Sequence, residues 1–258
     1  VALRVGAREG WSVVADLSER DGYKVRFPRG AARPEAVIIN TGGGLAGGDM
    51  VRQSVAIDDG GEATVTTQAS ERVYRALAGS ETAVNVRLSL GEGARLDWLP
   101  QETILFDAAR LRRSIEVEMA ASARLLLLET VIFGRTAMGE TVRTGLLRDR
   151  WRIRRGGKLT FAETIRLDGA IAETLAATPI AAGARVISTL LAVRPDADDL
   201  LEAVRSALDG VECDAGASAW GGMLVVRALG RSSESLRRIL ERVIPLITGA
   251  PLPRVWQT

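Results

Sequence analysis

A chain of 258 residues, 47% of them hydrophobic, can bury one large core or two small ones. Its net charge of +2 comes from 34 basic residues interleaved with 32 acidic ones, so no dense basic block offers a footprint for nucleic acid, and no apolar run approaches the ~18 residues of a membrane span. There is no histidine and a single cysteine, which removes disulfide frameworks, Ser-His-Asp and Cys-His nucleophiles, and the usual imidazole ligand of zinc, copper and nickel.

Any catalysis would therefore rest on carboxylates, Tyr23, Tyr74 or the only two lysines, Lys24 and Lys158. Cys213 sits among Glu212, Asp214, Ala215 and Gly216 with no histidine to activate it, and is expected to be structural. One unpaired cysteine fits a reducing cytosol, so a cytoplasmic location is expected. The chain opens Val1-Ala2-Leu3 without Met, so the natural start is expected upstream, and no charged-then-apolar leader follows.

In chain order, an apolar stretch at Val37 runs into a loop, Gly42 to Gly48, that holds five glycines. Val51 to Asp58 alternates apolar and polar with period two, as do Thr82 to Leu90 and Ser114 to Ala120, the last with Ile115, Val117 and Met119 in register. RWRIRR and KLTFAETIRLDG read as a hairpin turning at Gly156-Gly157. Ala63, Ala94 and Ala123 each follow a small-residue turn and precede a strand. Their spacing of about 30 residues suggests a β-helix-like stack of short strands, in which each layer buries its apolar face against its neighbours.

The last third changes character. Ser188 to Val193 reads as a strand. Asp196 to Gly210 reads as a helix capped by Asp196 or Asp198, with Leu200, Leu201, Val204 and Leu208 as its stripe. Gly221 to Gly230 reads as a strand. Ser232 to Gly249 reads as a helix capped at Ser232-Ser233, with Pro245 expected to kink or stop it. The expected architecture is thus mainly β: a stacked body over residues 1–187 and a small β-α-β-α lobe with two helices over residues 188–258.

Gly42, Gly44 and Gly47 have the G-x-G-x-x-G spacing of a dinucleotide turn. That turn needs a helix next, whose N-terminus holds the pyrophosphate; here an alternating strand follows Asp49. A P-loop fails too, for want of the Lys-Ser/Thr that must follow. The glycines instead suit a tight crossing of backbone, or a face another protein packs against.

Five ordered stretches carry a resemblance. NTGGGLAGGD (Asn40 to Asp49), TTQASERVYRA (Thr66 to Ala76), LDWLPQETILFDAARL (Leu96 to Leu111), FGRTAMGE (Phe133 to Glu140) and PRVWQT (Pro253 to Thr258) resemble, in order, the signatures of the urease accessory protein UreD (UreH) family. Arg72 stands where the family often has Lys, and the family's N-terminal tail is cut short here. The resemblance implies a β-rich, helix-poor scaffold without catalytic activity. It would bind apo-urease together with UreF and UreG, a GTPase that carries nickel, so that GTP enters only through that partner and nickel only in transit.

The resemblance also implies an internal path for nickel, with Asp49 and Glu163 at positions the family ties to it and Glu140 a further candidate. The plainer readings are a turn cap for Asp49, an Arg-paired strand residue for Glu163 and a structural role for Glu140. Partner surfaces are expected at Arg75, at an Arg-rich rim of Arg110, Arg112 and Arg113, and around Trp256. Tyr74 suits either a partner surface or an internal hydrogen bond. Two other readings stand beside this one: a carboxylate-using β-solenoid enzyme, which would need an open cleft with two acids at fixed spacing, and an adaptor with no metal role. Without histidine, a chain of this composition can offer nickel only oxygen ligands and one thiol. Oxygens hold the ion lightly, which is a fault in a store and an advantage in a conduit.

Overall fold

A computed structural model describes residues 1–77, 79–135 and 138–256. The alternating stretches are strands, and they repeat in a fixed cycle. Met50–Ile57 (β5), Thr82–Leu90 (β8) and Arg110–Met119 (β11) lie side by side in one sheet. The strands that follow each of them, Glu62–Thr67 (β6), Arg95–Leu99 (β9) and Arg124–Phe133 (β12), lie side by side in another. All of these pairings are parallel. Each cycle therefore adds one strand to each sheet, which gives a solenoid-like stack. Glu62 pairs with Arg95, and Arg95 with Arg124, which is the repeat of about 30 residues read from the sequence.

The turns stack as well. The Gly60 amide donates to the Glu92 carbonyl, and the Arg124 amide to the Ala94 carbonyl. Ala63, Ala94 and Ala123 are fully buried at these corners, where a larger side chain would hold the layers apart.

The first sheet runs in the order β14-β13-β11-β8-β5-β1-β2, with Ala2–Arg8 (β1) and Trp11–Ser18 (β2) at one edge. At the other edge Gly145–Arg155 (β13) and Lys158–Gly169 (β14) form the expected hairpin, with Gly156 and Gly157 both at positive φ. The second sheet runs β16-β17-β15-β12-β9-β6-β4-β3, from Asp214–Trp220 (β16), Met223–Gly230 (β17) and Val186–Val193 (β15) to Glu35–Asn40 (β4) and Tyr23–Arg26 (β3). The short strands Glu71–Val73 (β7) and Thr103–Leu105 (β10) lie off this path and pair with each other, and β10 also with β12.

The two sheets face one another over a core that includes Val55, Leu88, Val117 and Ile153 from the first, and Val65, Leu96, Leu127 and Leu191 from the second. Two helices cover the other face of the second sheet. Leu201–Leu208 (α2) and Ser233–Thr248 (α3) pack Val204, Leu236, Ile239, Val243 and Ile247 against Leu126, Leu128, Leu190 and Val226. A strand covered on both faces needs apolar residues at every position. This explains why β12 reads LLLLETVIF while β11 alternates.

Several details of the tail differ from the sequence reading. Strand β15 pairs with β12 along eight residues, so the tail extends the body's own sheet. Strand β16 is an additional strand, and Ile171–Ala176 (α1) an additional helix. Neither Asp196 nor Asp198 caps α2. Asp196 instead pairs with Arg194 at 2.6 Å, and a short 3-10 turn at Asp198–Leu200 leads in. Ser232 does cap α3, accepting from the Ser235 amide at 3.2 Å. Pro245 does not stop that helix, which runs on to Thr248 and ends at Gly249 in the left-handed conformation.

Candidate functional site

The glycine loop joins β4 to β5 with no helix between them, so no phosphate cradle forms. Its glycines permit close approach. A Cβ on Gly44 would lie 2.6 Å from the Tyr74 ring and 2.9 Å from the Arg72 carbonyl oxygen, and one on Gly47 would lie 2.4 Å from Ser80 Oγ. Tyr74 seals the contact by donating to the Gly43 carbonyl at 2.8 Å.

Beside this loop the second sheet is interrupted twice in succession. Gln68-Ala69-Ser70 separates β6 from β7, and Pro100-Gln101-Glu102 separates β9 from β10, whereas β12 runs through unbroken. Proline has no amide to give a ladder, and the Gln101 amide turns aside to Thr67 Oγ1 at 2.9 Å. At the level of these interruptions polar and charged side chains join aliphatic ones such as Val86, Leu111, Val131 and Leu147 on the inward faces of both sheets. Thr67, Glu71, Trp98, Thr103, Glu129 and Thr189 face Gln53, Arg113, Asp149 and Glu163.

These groups line three adjoining cavities. The outermost, about 170 Å³, lies among Asn40, Gly43, Gln68, Glu71 and Arg72, where Gly43, Gln68 and Arg72 are exposed. It shares Tyr23, Gln53, Thr67 and Glu71 with a second cavity of about 60 Å³. That one shares Arg113 and Glu129 with a third of about 10 Å³, which ends at Glu163, Ile165 and Ile187. The third is large enough for roughly one water. The row of cavities thus crosses the stack from the glycine loop to the β14 edge.

Three acidic stations stand along it. At the first, Glu71 accepts from Tyr23 Oη and Asn40 Nδ2, both at 2.9 Å. Burial raises the Glu71 carboxyl above its ordinary range against the pull of those bonds, and burial beside Glu71 raises the Tyr23 hydroxyl, so the tyrosine stays a donor. At the second, Glu129 and Asp149 grip the wholly buried Arg113. Its Nη1 donates to Glu129 Oε2, and its Nη2 to Asp149 Oδ2 at 2.5 Å. Trp98 Nε1 donates to Glu129 Oε1 at 3.1 Å, and Trp151 Nε1 to Asp149 Oδ1 at 3.2 Å. Burial pushes Glu129 up to about 7 in spite of the guanidinium. Burial also pulls on Arg113, but Asp149 and Glu129 outweigh it and hold the guanidinium charged. At the third, Glu163 accepts from Arg227, which is largely exposed.

The expected site residues divide between this row and the surface. Glu163 lies at the mouth of the third cavity and is also Arg-paired. Asp49 is exposed and caps the glycine loop, accepting from the Ala46 amide at 2.7 Å; it lines none of the three cavities. Glu140 is half-buried and folds a loop, pairing with Arg135 at 2.8 Å and accepting from the Asp107 amide at 3.3 Å, and those bonds to Arg135 hold its carboxyl below the ordinary range. Arg75 is exposed, and Arg110 and Arg112 both pair with Glu81 at the surface. Within the stretches that carry the resemblance, Thr136, Ala137, Gln257 and Thr258 lie outside the described residues.

Two placements are corrected. Arg113 is no rim residue: strand parity turns it inward with Leu111, Ile115 and Val117 while Arg112, Ser114 and Glu116 face out. Trp256 is 3% exposed. Its indole donates to Thr66 Oγ1 at 3.1 Å, and Arg237 stacks on it with 5.0 Å to the ring centroid, so it anchors the helices to the sheet.

The row also contains Glu71, Glu129 and Asp149, which the sequence reading did not single out. Glu129 had a signal, as the only charge in an apolar run from Leu125 to Phe133. Among the described residues no group of three or more His, Cys, Asp or Glu side chains is placed to hold a metal, and no helix is long and apolar enough to cross a membrane. The buried acid pair is bridged by Arg113, unlike the open two-carboxylate cleft of a glycan-active enzyme.

Comparison with known proteins places these features. The sequence profile described as UreD urease accessory protein matches residues 1–257. The urease accessory protein UreD of Methylobacterium sp. (strain 4-46) is 47% identical, covering 100% of this chain and 94% of that protein. The protein of the same name from Xanthobacter autotrophicus is 46% identical over 100% of this chain and 89% of its own length, and that from Rhizobium etli 47% identical over 96% and 90%. The glycine loop, the interrupted stack and the buried row above are thus features of a chain that belongs to the UreD family of urease accessory proteins.

Proposed function

We propose that this chain is a non-catalytic scaffold in urease maturation, that it binds apo-urease together with UreF and the GTPase UreG, and that nickel travels along its internal row of carboxylates on the way to the urease site. The supporting observation is the continuity of that row. Three adjoining cavities cross the apolar interior of the sandwich, and oxygen-bearing side chains stand among the aliphatic ones in each of them. Carboxylates, hydroxyls and water offer nickel weak, replaceable ligands, so an ion that enters can also leave. GTP acts only through UreG, and no resident cofactor is involved. The protein works in the cytoplasm, where its single cysteine stays reduced.

The test is metal counting in urease. The chain is co-expressed with urease and its partners, carrying Glu129→Gln or Glu163→Ala. The complexes should assemble as with the parent chain, and the nickel content of the urease should fall several-fold. Full nickel loading with both variants would leave an adaptor with no metal role.

A further inference from the structure

The row is closed at one side chain. Arg113 lines both the cavity of about 60 Å³ and the cavity of about 10 Å³ beyond it. Its guanidinium lies between Glu129 of one sheet and Asp149 of the other, and its Nη1 also reaches Thr103 Oγ1 at 3.3 Å. Arg113 Nε is buried and has no hydrogen-bond partner among the described residues, an expensive arrangement for a charged group. The two carboxylates are each held at one oxygen by Trp98 or Trp151, and each gives its other oxygen to a different nitrogen of the same guanidinium. With both carboxylates ionised, two negative charges there face one positive charge, whereas a divalent ion would balance them.

We propose that Glu129 and Asp149 form a latent divalent-cation site, and that Arg113 is its resident counter-ion and gate. The inference rests on reading the row as a cation route. The guanidinium occupies the position an ion would take between the two carboxylates. With room for only about one water beyond it, an ion can pass only when Arg113 swings back into the larger cavity. The gate also keeps the site from becoming a trap, because two buried carboxylates without a cation would bind the next one and hold it.

The test uses the purified full chain, with nickel chloride alone as the probe, read by calorimetry in competition with a weak chelator. Arg113→Met should bind about one nickel ion per chain, roughly tenfold or more tightly than the parent. The double variant R113M/E129Q should lose that gain. Arg113→Lys, which restores a cation, should bind no more tightly than the parent. Because R113M leaves the two buried carboxylates with only their indole donors and no counter-charge, Arg113→Gln, whose amide still donates, carries the same expectation as R113M should the methionine variant not fold. A folded R113M or R113Q chain with the parent's nickel affinity would overturn the inference, as would R113K binding as tightly as R113M. These readouts do not involve urease. Failure of the route itself would instead appear as full nickel loading of urease with Glu129→Gln and Glu163→Ala.

Discussion

The interior of this sandwich has two regions built from the same strands. Strand β11 places Ile115 and Val117 in a dry aliphatic core and, two residues earlier on the same face, Arg113 in a polar row with cavities. Strand β12 does the same with Leu127 and Glu129. The backbone treats both regions alike, since parity alone sends these residues inward. The difference is that the dry region holds the sheets together, while the polar row keeps charge and space inside them. In the dry region volume is conserved; in the row it is given up.

The comparison is broken most severely by emptying the dry side. Leu127→Ala should cost about 2–5 kcal/mol, because the site is fully buried and closely surrounded. A protein of this size then loses roughly 2–4 °C of Tm per kcal/mol in a thermal scan. Nickel delivery by the protein that remains folded should be little changed. If Leu127→Ala left stability intact but abolished delivery, the division of labour would be wrong.

Glu129→Gln should do the reverse. It removes a buried, hard-to-ionise carboxyl yet leaves Arg113 paired with Asp149, so Tm should change far less than with Leu127→Ala, while urease nickel falls. A collapse of Tm would move Glu129 to the structural side.

A smaller effect is carried by pH. The folded-state pKa of Glu129 is raised from 4.5 to about 7, by burial first and despite Arg113. The folded state therefore binds this proton more tightly than the unfolded chain does. Stability contributed by the neutral carboxyl is present at low pH and is lost as pH rises from about 4.5 to about 7, then levels off. Compared with the parent, Glu129→Gln should gain relative stability across that window, measured as the difference in Tm. The charged groups facing Glu129, Arg113 and Asp149, are common to both chains, so a constant difference would contradict the raised pKa.

The smallest effect belongs at the surface. Glu81→Gln breaks the exposed pairs with Arg110 and Arg112 and should leave Tm within the scatter of a scan. A loss of partner binding with Tm unchanged would mark that rim as an interface.

Much of the stack was legible in the residues. Alternation located β5, β8 and β11, the spacing of Ala63, Ala94 and Ala123 gave the repeat, and Ser232 announced α3. Alternation also carried the information that Arg113 shares a face with Ile115 and Val117; an arginine simply reads as surface when its neighbours across the sheets are unknown. The glycine loop could be recognised as a close crossing, but not as one that meets Tyr74 and Ser80.

What the sequence determined by itself is local: periodicity, turn chemistry and caps depend on residues a few positions apart, and the absence of histidine limits the metal chemistry wherever the chain goes. What only the tertiary structure decided is the row. Glu71, Glu129, Asp149 and Glu163 come from different strands of two sheets, and strand register brings them to one row, with Arg113 beside Asp149 and Trp151 beside Glu163. The physical reason is that the value of a buried charge depends on what stands opposite it across the core, and that neighbour is set by stacking rather than by the local chain.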